Sequence, residues 1–342
     1  MRQILNYIGL GVVLLISIFG FTITGIATEN QADFSVNAEQ SVYQVDKTKT
    51  YFDLSLPVNE SVPLVIHVTN NSEKVIEVAG ELSPATTNIN GVVEYGKTKN
   101  QLTSNVPFDI TKVASFEKEK QTIAPKQTVD FVVNISVPTK DFAGIVAGGI
   151  TLRDVTEEKT PVETKGMFKN KFAYAIALLV HGEKTPVENT ITLKEVIPTQ
   201  VNSRNVVSAA IENKTANYIN KVSIEASVTD ASEKKVLSEK KEDMQIAPSS
   251  IFKFPIYYEK QVMKAGKYTL FMTVKSENKE WQLKKSFRIT EEKATELNKT
   301  DISEKEEKKD IKWIVIALVG VILLLIIALM FVLRRKIISM KY

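Results

Sequence analysis

The sequence predicts an all-β ectodomain, two tandem immunoglobulin-like β-sandwiches, followed by one C-terminal transmembrane helix. Three observations carry that prediction. First, apolar and polar residues alternate with a period of two: Val129, Phe131, Val133, Ile135 and Val137 against Thr128, Asp130, Asn134 and Ser136 is one such run. A strand of this kind buries one face and wets the other. Second, turn clusters such as Asn70-Asn71-Ser72, Asn88–Gly91, Pro138-Thr139-Lys140 and Pro248-Ser249-Ser250 punctuate the strands. Strands at intervals of about 8–12 residues suit antiparallel sandwiches. Third, Trp313–Leu333 carries no charge. Its length of about twenty residues is what a helix needs to cross roughly 30 Å of hydrocarbon.

In chain order, Arg2 precedes an apolar core from Ile8 to Phe21, and the small residues Gly25 and Ala27 follow. This predicts a signal peptide over 1–27 cleaved after Ala27, with an uncleaved anchor as the alternative that a single basic residue leaves open. The first sandwich is expected over 28–156, with a short helical turn near Asp109–Glu119. Glu157–Pro161 breaks the apolar pattern and marks a linker over 157–164. The second sandwich is expected over 165–290. The apolar run Phe172–Val180 is too short to span a membrane and reads as a buried central strand opening it. A solvated, charged stalk follows over 291–310, dominated by Glu, Asp and Lys, with partial helicity left open. The transmembrane segment is placed over 311–333 and a cytoplasmic tail over 334–342, because Arg334, Arg335 and Lys336 flank the helix on that side without an acidic residue.

The two halves echo each other. Ile123-Ala124-Pro125 precedes Phe131 as Ile246-Ala247-Pro248 precedes Phe254, at one offset. Ala143-Gly144 and Ala265-Gly266 then open the next strand, and an apolar strand runs into an Asn turn at both Asn70 and Asn213. Matched spacing of this kind predicts a duplicated architecture.

Composition narrows the function. The formal charge is +4, from 44 basic and 40 acidic residues. Six of the basic residues (Arg2, Lys312, Arg334, Arg335, Lys336 and Lys341) belong to the membrane segments, which leaves 38 against 40, or −2, for the ectodomain. That is no footprint for nucleic acid. There is no cysteine, so neither disulfides nor thiolate metal sites arise. The two histidines, His67 and His181, sit on different strands, too few for a metal site or a catalytic cluster, and neither a phosphate loop nor a nucleophile elbow occurs. No cofactor, metal or catalytic residue is therefore expected. Gly148-Gly149 inside a strand signals a bulge or a close backbone approach, with a ligand against the sheet as the sharper alternative. Tyr51, Phe52, Tyr95, Tyr218, Tyr257, Tyr258 and Trp281 are the aromatics considered for surface stacking on sugars. The candidate ligand-binding set is Tyr51, Asn90, Tyr95, Gly148, Gly149, Tyr218 and Trp281.

Dispersed residues also resemble a known family. Phe34-Ser35-Val36, Tyr51-Phe52-Asp53-Leu54, Val68-Thr69-Asn70, Asn90-Gly91-Val92, Pro107-Phe108 and Gly144–Ile150 are similar to the first domain of the WxL-interacting proteins of Gram-positive bacteria. Lys171-Phe172-Ala173-Tyr174, Asn205-Val206-Val207, Asn213, Met244–Pro248, Ala265-Gly266-Lys267-Tyr268 and Trp281 resemble the second. The resemblance implies a non-enzymatic cell-surface scaffold with a peptidoglycan-binding first domain. It implies a second domain that binds WxL-domain surface proteins or host extracellular proteins. No Leu-Pro-x-Thr-Gly motif precedes the helix, so retention is expected through Trp313 to Leu333 itself. Two other readings differ in what they require. A cell-wall-active enzyme needs paired acids in a cleft, for which Asp53, Glu94, Asp109 and Asp141 are scattered candidates. A surface receptor needs a signalling partner inside the membrane, because the tail after Leu333 is short.

Overall fold

The computed structural model describes residues 33–156, 172–185, 187–259, 261–277, 279–303, 318–322 and 330. The strands of the first half are β1 (Phe34–Ala38), β2 (Phe52–Leu54), β3 (Val62–Asn70), β4 (Ile76–Pro84), β5 (Thr86–Thr87), β6 (Val93–Glu94), β7 (Gln101–Leu102), β8 (Ala114–Phe116), β9 (Lys120–Ile123), β10 (Thr128–Ile135) and β11 (Ile145–Asp154). The second half adds β12 (Ala173–His181), β13 (Ile191–Val201), β14 (Arg204–Asn213), β15 (Ile219–Thr229), β16 (Lys235–Ile246), β17 (Ser250–Tyr257), β18 (Gly266–Ser276) and β19 (Lys279–Ile289). Helices α1 (Ile110–Val113) and α2 (Glu291–Thr300) complete the described elements of any length.

The first sandwich packs the sheet β1-β3-β10-β8 against β2-β12-β11-β4-β9. Its core follows the predicted alternation: Leu64, Ile66 and Val68 of β3 and Phe131, Val133 and Ile135 of β10 are buried and meet Ile150, Leu152, Leu178 and Val180 of the other sheet. Burying each such side chain contributes about 1.5–3 kcal/mol. The second sandwich packs β13-β14-β17-β7 against β16-β15-β18-β19. Ile211, Phe252 and Phe254 there face Ile224, Leu270 and Val274.

The internal echo is physical. Asn70 Nδ2 donates to the carbonyls of Lys74, Ile123 and Ala124, and its Oδ1 accepts from the Ser72 amide. Asn213 Nδ2 donates to the carbonyls of Asn217 and Ala247, and its Oδ1 accepts from the Thr215 amide. Both asparagines are fully buried, so each turn is held by one amide that satisfies otherwise orphaned backbone groups.

Three expectations change. Phe172–Val180 does not open the second sandwich: β12 lies between β11 (antiparallel, Ile145↔His181 to Arg153↔Ala173) and β2 (parallel, Leu178↔Phe52). Ile176, Leu178 and Val180 enter the first core, while Ala177 and Leu179 pack on the outer side. A strand apolar on both faces fits any sheet covered on both sides, so its pattern does not say which sheet it joins. Glu291–Thr300 is not a free stalk. Helix α2 is capped by Thr290, whose side chain accepts from the Lys293 amide, and it buries Ala294 and Leu297 in the second core. The turn near Asp109 is the single turn α1, with Asp109 accepting from the Thr111 amide, and it gives way to strand at Ala114. The signal peptide over 1–27, the linker over 157–164 and the tail over 334–342 lie outside the described residues. Of Trp313–Leu333, residues 318–322 and 330 are described, and they are helical. Among the described residues no helix is long and apolar enough to cross a membrane.

Candidate binding junction between the sandwiches

The outer face of the five-stranded sheet is built by every second residue of β11 and β12. Gly149 stands opposite Ala177, Ala147 opposite Leu179, and Ile145 opposite His181, with Asp53 of β2 and Tyr51 just before that strand flanking them. A segment from Ala85 to Val106 folds over this face. Ala85, Ala147, Ala177 and Leu179 form a small buried cluster beneath Tyr51, Val93, Tyr95 and Tyr218. Tyr218 comes from the second sandwich, so the cluster joins the two halves.

The paired glycines serve opposite faces. A Cβ on Gly149 would collide with the Tyr95 backbone, and one on Gly148 would collide with Ile110 of α1. Close backbone approach thus explains both positions. Tyr95 and Tyr218 meet hydroxyl to hydroxyl at 3.2 Å. Burial pushes the Tyr218 phenol far above its ordinary value, with Tyr95 adding to the effect. Burial also raises Tyr51.

The covering segment bonds directly to the second sandwich. The Ala247 amide donates to Thr87 Oγ1 at 2.8 Å, the Gln245 amide to the Gly91 carbonyl at 2.8 Å, and the Thr103 amide to the Ser249 carbonyl at 2.8 Å. Asn90 Oδ1 accepts from Lys241 Nζ at 3.2 Å. Gly91 adopts φ +77° against Met244, whose side chain occupies the space a Cβ would need. Six of the seven candidate residues, Tyr51, Asn90, Tyr95, Gly148, Gly149 and Tyr218, thus converge on the junction and the strand beneath it. Trp281 does not: it is 9% exposed, sits in the second core, and has Lys279 Nζ 5.5 Å from its ring centroid. Phe52 and Tyr258 are likewise buried, which removes them from any surface role.

Sequence reasoning missed Asp53 and His181 as a pair. His181 Nε2 lies 2.5 Å from Asp53 Oδ1, and Asp53 is 8% exposed. The signal was too weak to find, since strands far apart in sequence bring them together. His67 lies on the opposite sheet, across from Asp130 on β10, with Nδ1 2.7 Å from Asp130 Oδ1. Beside the junction is a polar cavity of about 350 Å³ lined by Asn189, Asn217, Tyr218, Asn220, Ser276 and Lys279, among others. Lys279 Nζ donates to the Asn189 carbonyl at 3.0 Å and pairs with Glu188 at 2.8 Å. Amides, hydroxyls and a paired ammonium suit hydrogen bonding to a polar ligand, and a volume of this size is at the small end for ligand sites. Among the described residues no cluster of three metal-ligating side chains occurs.

Residues 34–154 match the family model described as WxL Interacting Protein, peptidoglycan binding domain, and residues 163–299 match WxL Interacting Protein, host binding domain. The chain belongs to the WxL-interacting proteins. No curated protein matches the sequence. Among solved structures, the CsuC-CsuE chaperone–tip adhesion subunit complex of Acinetobacter baumannii is similar at 11% identity and TM-score 0.33, covering 74% of this chain and 98% of that one. The E. coli chaperone DraB is similar at 13% identity and TM-score 0.29, over 75% of this chain and 98% of that one. Likenesses this weak bear on neither ligand nor activity. In this WxL-interacting protein the two family segments and the two sandwiches do not coincide. β12 lies within the second family segment yet completes the first sandwich, and β7 lies within the first family segment yet pairs with β17 through Ser250↔Leu102.

Proposed function

We propose that this WxL-interacting protein is a non-enzymatic scaffold of the cell surface, held in the membrane by Trp313–Leu333 with its sandwiches outside and its C-terminus in the cytoplasm. The first sandwich binds peptidoglycan, and the second binds a WxL-domain surface protein or a host extracellular protein. The observation that carries this reading is the succession of the two family domains on one chain. The junction supports it, because β7 and the hydrogen bonds of Thr87, Gly91 and Thr103 tie the covering segment of the first half to the second sandwich. Within the candidate set, Tyr51 and Tyr95 are half-buried on the first sandwich and offer rings and hydroxyls to a glycan. Gly149 and Asn90 shape that surface and Tyr218 flanks it from the second sandwich, while Gly148 admits Ile110 on the sheet's inner face and Trp281 lies in the second core. The test is sedimentation of the full chain with insoluble peptidoglycan. Retention of the wild type, weakened by Tyr51→Ala, is expected. Passage of the wild type into the supernatant would remove the glycan half of the proposal.

A further inference from the structure

The outer face of the sheet β16-β15-β18-β19 is rich in hydroxyls and unbalanced in charge. Its side chains follow from the register: Lys267 opposite Arg288, Thr269 opposite Ser286, Phe271 opposite Lys284, and Lys275 opposite Glu280. Ser227 stands beside Phe271 and Glu225 beside Thr273 on the neighbouring strand, and Lys240 and Lys235 extend the face to the far edge. Six cations therefore share this face with the carboxylates of Glu225 and Glu280 and with Glu242, which pairs with Lys240, on an ectodomain whose own total is −2. Lys275 is neutralised by Glu280 at 3.1 Å and Lys240 by Glu242 at 2.7 Å. Asp230, at the end of β15, is engaged by the amides of Ser232 and Lys234.

What remains is a row of uncompensated charge. Lys267 and Arg288 face each other directly, like against like, which costs a sheet stability, and among the described residues neither has an ion-pair partner. Lys284 Nζ stands 4.9 Å over the ring of Phe271, which is 39% exposed. A protein-binding patch would concentrate apolar and aromatic residues at its centre. This face offers one phenylalanine among hydroxyls, so it suits a hydrated, flexible polyanion. An arginine fork and neighbouring ammonium groups match phosphate oxygens, and serine and threonine hydroxyls match the hydroxyls of a polyol.

We propose that this face of the second sandwich binds a linear polyol-phosphate polymer, with phosphates on Lys267, Arg288 and Lys284 and the polyol lying across Phe271 and the hydroxyls. This goes beyond the scaffold reading and does not rest on it. The experiment measures binding of the full chain to immobilised poly(glycerol phosphate) at roughly 50 and 200 mM salt. The wild type is expected to bind at the lower salt and to weaken by about tenfold or more at the higher, as charge-driven contacts do. The triple variant Lys267→Gln/Lys284→Gln/Arg288→Gln is expected to bind about tenfold more weakly, with a flatter salt dependence. Its unfolding midpoint is read alongside to show that it remains folded. Arg288→Lys, which keeps the charge and removes the fork, is expected to fall in between and gives a second reading if the triple variant does not fold. Polyglutamate of matched charge serves as the acidic-polypeptide probe and is expected to bind more weakly. The proposal is overturned if the wild type fails to bind at the lower salt, if Arg288→Lys and the triple variant both bind like the wild type, or if polyglutamate binds as tightly as the phosphate polymer.

Discussion

Asn70 and Asn213 show how one side chain holds a turn. Each is fully buried and bonds backbone groups on both sides of its turn. Replacing either by alanine leaves those carbonyls unpaired in the interior and is expected to cost about 1–3 kcal/mol in urea unfolding. Asn71→Ala, on the exposed side of the same turn, should change stability by less than about 0.5 kcal/mol. These asparagines were legible in the sequence because the turn repeats at matched spacing. The Tyr95–Tyr218 contact was not, since it depends on how two sandwiches meet. It carries a pH prediction. The Tyr218 phenol is raised above its ordinary value of 10.0 by burial, so both folded and unfolded chains keep the proton below about pH 10, and its contribution is fully present there. Above that pH the unfolded chain releases the proton first, and stability falls. Tyr218→Phe should flatten that alkaline loss as followed by thermal unfolding between neutral pH and pH 11. An unchanged slope would show that other groups carry it.

At the scale of elements, half-buried strands such as β10 and β15 were readable because one face is wet and the other dry. β12 was not, because both of its faces are covered, one by the first core and the other by the junction. Helix α2 was misread for the opposite reason: it meets the core through only Ala294 and Leu297, spaced one turn apart in a charged sequence. Its attachment includes Gln200 Nε2 donating to the Leu297 carbonyl at 2.8 Å and Asn298 Oδ1 accepting from the Met263 amide at 3.0 Å. Leu297→Ala is therefore expected to cost about 2 kcal/mol or more and to speed amide hydrogen exchange across residues 291–300. Equal exchange in the two proteins would mean that polar contacts alone hold the helix.

For the whole molecule, β12 completes the first sandwich from beyond residue 156, and β7 of the first half joins the second sandwich through Ser250↔Leu102. A chain ending at residue 156 lacks the strand between β11 and β2 and is expected not to fold, whereas one extended through residue 185 recovers that sheet. Circular dichroism and thermal unfolding of both fragments check this. Cooperative melting of the shorter fragment would place β12 outside the folding unit. The same interlocking gives the scaffold reading its mechanical sense, since a ligand on one sandwich is tied rigidly to a ligand on the other. The most direct measurement is a three-component sedimentation: insoluble peptidoglycan, a purified WxL-domain protein, and the full chain. The account predicts that the WxL-domain protein enters the pellet beyond its own background only when the full chain is present. A WxL-domain protein that stays in the supernatant with the chain bound, or that displaces the chain from the pellet, would contradict it.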